Sequence, residues 1–344
     1  MRAVILERFG GIDGLADAEL PIPSCAEDEI LIRVRAVGFN PVDFQTRQVG
    51  FEGLVPPLTL GFDVAGVVAA TGSAVTNFFP GEEVMAWLGG PSLAGGYAEY
   101  VATPATFVAR KPGRLTFAQA ASVPVTSLTA LESLRRGGLD HEKALFVAGG
   151  AGGVGSWAIL LARAMGHRNL ATTAGRDESA AYLINELGVQ PGNVIRYAQM
   201  DRRALAEAAL RANQGEYYQI TLDCVGSLMT SLCCDIVDFE GSVISIVNAP
   251  KDNSHGPTDT DEEALFRKSA SFHFELVFAL AEYAPKLRRQ RYATDLARIS
   301  ALLERGVLRA PRVANVGRLC ADSVKQAHRL LESGRTIGKL VAEL

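Results

Sequence analysis

The twelve residues Ala144–Gly155 constrain this chain more than any others. Leu145, Phe146, Val147 and Ala148 form a short apolar strand pattern that runs into Gly150-x-Gly152-x-x-Gly155, and a helical stretch, Ser156–Met165, follows at once. A G-x-G-x-x-G spacing alone is weak evidence because glycine-rich turns are common; the strand before it and the helix after it are what its mechanism demands. The glycines permit a tight turn and let backbone approach a pyrophosphate, whose charge then sits at the positive end of the helix. Gly150, Gly152, Gly153, Val154 and Gly155 are therefore candidate dinucleotide-binding residues.

About 20 residues past such glycines, a site for NAD places an Asp or Glu at the end of the second strand, against the adenine ribose. This sequence has Thr172-Thr173-Ala174-Gly175-Arg176-Asp177 there. A small residue at the strand end with Arg176 close behind suits the dianionic 2′-phosphate of NADPH, the cofactor the pattern favours. Asp177 keeps two other roles open: a ribose ligand for NAD if the strand runs two residues longer, or the N-cap of a helix Glu178–Leu187.

With 344 residues the chain is about two domains long, enough for sizeable cores without metals or disulfides. Lys and Arg total 34 against 38 Asp and Glu, a net charge of -4, so no global field attracts a nucleic-acid backbone or an anionic membrane. Neither is expected as a partner. Five scattered cysteines, an odd number, fit reduced thiols in a cytoplasm better than a secreted disulfide framework. The start, Met1–Glu7, lacks the apolar core of a signal peptide, and no window reaches the roughly 18 apolar residues of a membrane span.

The texture changes along the chain. The first part is β-rich, with short apolar or β-branched runs at Arg2–Leu6, Glu29–Ala36, Val64–Ala70, Glu83–Ala86 and Ala98–Ala102 between Gly and Pro punctuation. From about Leu115 helical patterns alternate with the runs Ala144–Ala148, Asn169–Ala174, Asn193–Arg196, Ile220–Cys224 and Ser242–Val247, the signature of a doubly wound parallel sheet. A polar loop is expected over Ala249–Thr260, a helix candidate at the run Ser269–Leu280, and a helix over Tyr292–Arg305. The tail Gly338–Leu344 reads as a last strand whose natural partner is the small N-terminal sheet.

Several segments together resemble one family nearly end to end: Gly38-Phe39-Asn40-Pro41-Val42-Asp43, Leu60–Val68, Gly95–Tyr100, Val123–Ala130, the glycine loop, Asp223-Cys224-Val225-Gly226 and Gly334–Val341. In this order they resemble the zinc-independent quinone oxidoreductase branch of the medium-chain dehydrogenase/reductase superfamily, which includes zeta-crystallin. The resemblance implies an α/β protein: a GroES-like β-rich catalytic domain from residues 1–122 and 283–344, and a Rossmann NADP-binding domain from 123–282 inserted between them. It also implies a homodimer, formed through an edge strand near Ser271–Phe278.

Zinc-dependent relatives hold their metal with a Cys where Asn40 stands, a His-Glu pair where Phe62-Asp63 stands, and a third ligand near Val125. Asn40, Phe62 and Val125 offer neither thiolate nor imidazole, so no metal is expected. The five histidines are scattered and read as surface or capping residues. Without a metal to polarise an alcohol, the expected chemistry is hydride transfer to an electron-poor acceptor such as a quinone or an enone.

By resemblance the nicotinamide lies near Asn40, the Thr126–Thr129 run, and Val247 and Asn248; Thr126 belongs to the cofactor site and Thr129 to the catalytic set. Asn40 either donates a hydrogen bond to the substrate oxygen or is a turn residue before Pro41. Asp43 reads as orienting backbone or water, since no neighbour in the sequence raises its pKa. Tyr197 lies by family position on the adenine side or is plain packing, and Arg335 lies near the cofactor. Phe39, Phe44, Phe51 and Trp87 either line an apolar slot for a flat substrate or belong to the core. Phe51 stands where related enoyl thioester reductases carry a proton-donating Tyr, which disfavours that activity. A cofactor-binding protein with a structural or RNA-binding role is the remaining alternative.

Overall fold

The structure is a computed structural model, and it describes residues 1–51, 53–89, 95–247 and 257–344. It divides into two compact units, Met1–Leu128 with Val277–Leu344, and Thr129–Leu276.

The first unit is built on a seven-stranded sheet. Its order runs Val313–Arg318, Lys339–Glu343, Glu29–Phe39, Asp63–Thr71, Glu83–Trp87 and Val108–Arg110, with Tyr100–Pro104 also paired to Glu29–Phe39. The alternation Ile30, Ile32, Val34 and Ala36 puts one face of the long central strand into the core, as period-2 patterning requires. The C-terminal strand pairs antiparallel with the end of that strand, Leu340 opposite Phe39 and Val341 opposite Gly38. The expected tail pairing is thus met. A smaller sheet joins Leu15–Glu19, Arg2–Leu6 and Leu58–Thr59. The helix Ala321–Glu332 contributes Ala321, Val324 and Ala327 to the shared core of this unit.

The second unit is a six-stranded, wholly parallel sheet. In sheet order its strands are Val194–Arg196, Leu170–Ala174, Leu145–Ala148, Tyr218–Asp223, Val237–Ser245 and Ser271–Phe274. Numbered along the chain that order is 3-2-1-4-5-6, the doubly wound Rossmann arrangement, in which ligands bind where the winding reverses. Leu145–Ala148 and Tyr218–Asp223 flank that reversal, and the glycine loop leaves from the first of them.

Two local expectations fail. The run Ser269–Leu280 is no helix: Ser271–Phe274 is the sixth strand, paired in parallel with Ser242–Ser245, and only Ala279–Glu282 is helical. A free sheet edge beside Val237–Ser245 overrides the local pattern, because pairing satisfies its backbone groups. The loop expected over Ala249–Thr260 ends early, since a helix begins at Asp259 with Thr258 as its N-cap; residues 248–256, Asn248 among them, lie outside the described residues. No helix among the described residues is long and apolar enough to cross a membrane.

Candidate functional site

Each unit carries one cluster. In the second unit Gly152 is the N-cap of the helix Gly153–Ala164, so the amides of Gly153 and Val154 stand in the first turn, where a helix has no internal partner for them. Two glycines are there for proximity. A Cβ on Gly155 would sit 2.3 Å from the carbonyl oxygen of Gly149, and one on Gly150 would sit 2.1 Å from Thr172 Oγ1. Both are far below contact distance: a side chain at Gly155 would push the helix off the loop, and one at Gly150 would push against Thr172 of the second strand. The loop is fastened to the second strand, whose Thr173 Oγ1 and Thr172 Oγ1 accept the N–H of Gly149 at 2.9 Å and of Gly150 at 3.1 Å. Ser156 Oγ donates to Gly150 O and Tyr182 Oη donates to Ser156 Oγ, both pairs buried. The residues fit a dinucleotide: a cradle that a Cβ would fill, ending at the positive end of a helix.

The second strand stops at Ala174. Asp177 is the first residue of the helix Asp177–Asn185 and Arg176 its N-cap, so Asp177 is neither at the strand end nor the cap. Extended backbone at Arg176 starts the helix one residue early, which leaves Asp177 in the first turn, favourable for an acid near the helix N-terminus. There it pairs with Arg196 at 3.1 Å. Tyr197 closes over the turn, and its Oη would lie 2.7 Å from a Cβ at Gly175. Across the reversal, the buried Asp223 carboxylate accepts hydrogen bonds from the N–H of Val225 and Gly226 and from Thr230 and Ser245 hydroxyls. Ser245 Oγ accepts the Val247 N–H at 3.2 Å, which ties Val247 to that carboxylate.

In the first unit Asn40 caps the helix Pro41–Val49 with its backbone only: Asp43 Oδ2 accepts the Asn40 N–H at 2.6 Å, and the Asp43 N–H donates to Asn40 O at 3.0 Å. The Asn40 side chain turns elsewhere. Its Nδ2 donates to Asp63 Oδ2 at 3.0 Å, and its Oδ1 accepts from Lys339 Nζ. Lys339 also donates to Asp63 Oδ2 at 2.7 Å, while Asp63 Oδ1 accepts the Val125 N–H at 2.8 Å. Asn40, Asp63 and Lys339 are 2%, 0% and 5% exposed, so this is a buried polar cluster whose charge is paired. Sequence reading passed over Asp63 and Lys339, though both stand in segments that carry the resemblance.

Asp43 differs from expectation. It is fully buried, and desolvation pushes its carboxyl up to about 7, against the stabilising Asn40 N–H and Lys339 charge. Its Oδ1 completes no hydrogen bond; the Tyr97 phenol, whose own pKa burial and the Asp43 charge push well up, interacts with the carboxyl. Behind Tyr97 lies His328, which is not a surface histidine but fully buried on the inner face of its helix. Arg47 Nε donates to His328 Nδ1 at 3.3 Å, leaving Nε2 to face Tyr97 Oη at 3.4 Å. Burial and the Arg47 charge push His328 down to about 3. Arg47 in turn pairs with Glu332.

The other expected residues are placed as follows. Thr126 and Thr129 lie one turn apart on the helix Pro124–Arg136, both buried; Thr126 Oγ1 donates to Ser122 O at 2.9 Å. Arg335 is exposed on the turn after Ala321–Glu332, four residues before Lys339. Phe39 and Trp87 are core: Phe39 packs on Tyr97, and Trp87 on Phe107, Phe278 and Tyr292. Phe44 is half-buried and Phe51 exposed. Phe62 packs edge-on against Phe278, and among the described residues no three His, Cys, Asp or Glu side chains gather as a metal site.

Comparison with known proteins adds kinship. The alcohol dehydrogenase GroES-like domain family matches residues 26–113, and the zinc-binding dehydrogenase family residues 192–341. Over 258 residues the chain is 34% identical to an NADPH-dependent alkenal/one oxidoreductase of Arabidopsis thaliana, aligned over 72% of this chain and 63% of that one. Less than two thirds of that relative's length is therefore spanned. A quinone oxidoreductase of Triphysaria versicolor is 31% identical over 261 residues, 73% of this chain and 76% of the other. The crystal structure of a candidate zinc-dependent alcohol dehydrogenase from Rhizobium etli is similar over 100% of this chain and 98% of that one, with 31% identity and a TM-score of 0.86.

Proposed function

Because this chain belongs to the quinone oxidoreductase branch of the medium-chain dehydrogenase/reductase family, we propose that it is an oxidoreductase that uses NADPH to reduce quinones or α,β-unsaturated carbonyl compounds without zinc. The observation that carries the reading is the Asn40 side chain, buried, spared from capping its helix, and holding an amide N–H donor where zinc-dependent relatives place a thiolate. NADPH, when bound, supplies the hydride. Gly153 and Val154 amides would receive the pyrophosphate, Gly150, Gly152 and Gly155 would keep the loop close to it, Arg176 would hold the 2′-phosphate and Tyr197 would lie on the adenine side. By resemblance Thr126, Val247 and Arg335 would add cofactor contacts, and Thr129 belongs to the catalytic set.

Reduction of a conjugated acceptor would build negative charge on its oxygen, and Asn40 Nδ2 would donate a hydrogen bond to that oxygen. Asp43 holds the Asn40 backbone. Oxidising a saturated alcohol would instead require its proton to be drawn off first, the task a metal performs by lowering the alcohol's pKa. Asn40, Phe62 and Val125 do not fit zinc, so no step passes through one. Pairing of two copies along the edge strand Ser271–Phe274 and a cytoplasmic location belong to the same reading; Phe274 and Leu276 are exposed beside that edge.

The test is a panel of acceptors followed by NADPH oxidation: quinones, enones, enoyl thioesters and simple ketones, with saturated alcohols and NADP in the reverse direction. Conjugated acceptors should be turned over and alcohols not. Oxidation of a simple alcohol as fast as any quinone or enone is reduced would overturn the reading.

A further inference from the structure

Among the described residues the Asn40 amide makes one hydrogen bond from each end, and the chemistry of its partners decides which end is which. An ammonium only donates, so Lys339 Nζ fixes Oδ1 on its own side. A carboxylate only accepts, so Asp63 Oδ2 takes one N–H of Nδ2. The amide cannot flip without setting an N–H2 group against an ammonium and an oxygen against a carboxylate. Its second N–H makes no hydrogen bond among the described residues.

The pair that imposes this is expensive to bury. Lys339 and Asp63 lie 2.7 Å apart with side chains 5% and 0% exposed, and buried ion pairs are often no more stabilising than an apolar pair of like size. Nor is the pair needed to hold the last strand, which is already laddered to Glu29–Phe39 through four residue pairs from Leu340↔Phe39 to Glu343↔Ala36. Its chemical effect falls on Asn40. A cation on Oδ1 draws electron density through the amide and makes the N–H a stronger donor, as hydrogen bonds in series polarise one another.

We propose that Lys339, neutralised by Asp63, is a positioning residue that locks the Asn40 amide with one N–H unpaired and polarises it, so that a lysine charge acts on the acceptor oxygen through an intervening amide. This rests on the reading of Asn40 as the donor to that oxygen. No proton moves and no bond is made in this role.

The experiment is a double-mutant cycle on enone reduction, with kcat and KM measured for wild type, Asn40→Ala, Lys339→Met and the double variant, and NADPH affinity by fluorescence titration as the check on folding. Asn40→Ala should lower kcat by roughly a hundredfold, the usual loss for one oxyanion donor. Lys339→Met should lower kcat about tenfold or more with NADPH affinity unchanged, the double variant should be no slower than Asn40→Ala alone, and Lys339→Arg should recover most of the rate. If Asn40→Ala is slow but Lys339→Met keeps wild-type kcat, the positioning role is refuted while the reading of Asn40 stands. Additive losses would also refute it, because Lys339 would then act elsewhere. A silent Asn40→Ala removes both. Should Lys339→Met fail to bind NADPH, Lys339→Gln takes its place: it keeps a donor for Oδ1 without the charge, so an unchanged kcat there overturns the polarising role.

Discussion

The sharpest quantitative consequence concerns Asp43. Its carboxyl is fully buried, moved by desolvation from 3.8 to about 7, and one oxygen is left without a hydrogen bond. A group whose folded pKa is raised favours the protonated native state. Its contribution to stability is therefore fully present below pH 3.8 and is lost as pH rises towards about 7, while the unfolded chain ionises and the native one resists. At about 1.4 kcal/mol per unit, a shift of this size corresponds to an order of 4 kcal/mol, missing at pH 8 and present at pH 4. Asparagine is the neutral analogue of the protonated acid, and its Oδ1 still accepts the Asn40 N–H. Asp43→Asn should therefore be more stable than wild type at pH 8, by an amount approaching that figure, and should lose the advantage as pH falls to 4.

The buried His328 works in the opposite sense. Depressed to about 3, it stays neutral in the fold while the unfolded side chain protonates near 6.5, so its contribution is present above that pH and lost as pH falls. Both proteins carry His328, so its effect largely cancels in the difference. Thermal unfolding of wild type and variant in parallel from pH 4 to 8.5, followed by the transition of the first unit, gives the gap directly. A gap independent of pH, or a wild type more stable than the variant at pH 8, would show that Asp43 is ionised at no cost and that the burial argument is wrong.

Other expectations are simpler to state. Gly155→Ala puts a methyl 2.3 Å from Gly149 O, so the loop must shift: stability should fall by about 1–3 kcal/mol and NADPH affinity with it, by calorimetry and fluorescence titration. Arg176→Ala should weaken NADPH about tenfold to a hundredfold, the worth of one charge-assisted bond to phosphate, and leave NADH nearly unchanged. Equal weakening of both would make Arg176 structural. Elemental analysis of the purified protein should find no stoichiometric zinc, and chelation should leave activity intact; loss of activity on removing bound metal would contradict the reading of Asn40, Phe62 and Val125.

Legibility in the sequence followed the range of each interaction. The glycine loop is written in consecutive residues because its function is local: a strand end, a turn and a helix start lie within Leu145–Ala164, and Thr172 and Thr173, which fasten it, lie on the next strand. The strand end at Ala174 and the seat of Arg176 are local too, and Asp177 was misplaced by only one residue of helix start. The run Ser269–Leu280 misled because its strand exists only where Val237–Ser245 offers a free edge, and nothing within the run encodes that edge. His328 misled for a related reason. It falls on the face of Ala321–Glu332 shared with Val324 and Ala327, where its neighbours Tyr97 and Arg47 are supplied from far along the chain.

The cluster around Asn40 is the extreme case. Asn40 is 23 residues from Asp63 and 299 from Lys339, and the three meet only because the last strand returns to pair with the end of Glu29–Phe39. That register puts Leu340 opposite Phe39, so the residue just before Leu340 falls beside the residue just after Phe39. A slip of one position would turn the alternate side chains of Lys339–Glu343 to the other face of the sheet and carry the ammonium away from the amide. The tail was therefore readable as a strand and its partner sheet could be named, yet the lysine's role could not, because it depends on register, which is decided by the packing of Leu340, Val341 and Ala342 in the finished core. The site's chemistry in this unit is thus a property of sheet closure: one residue inserted between Lys339 and Leu340, which spares every residue of the cluster and leaves the packing of Leu340, Val341 and Ala342 in place, should still dissolve it.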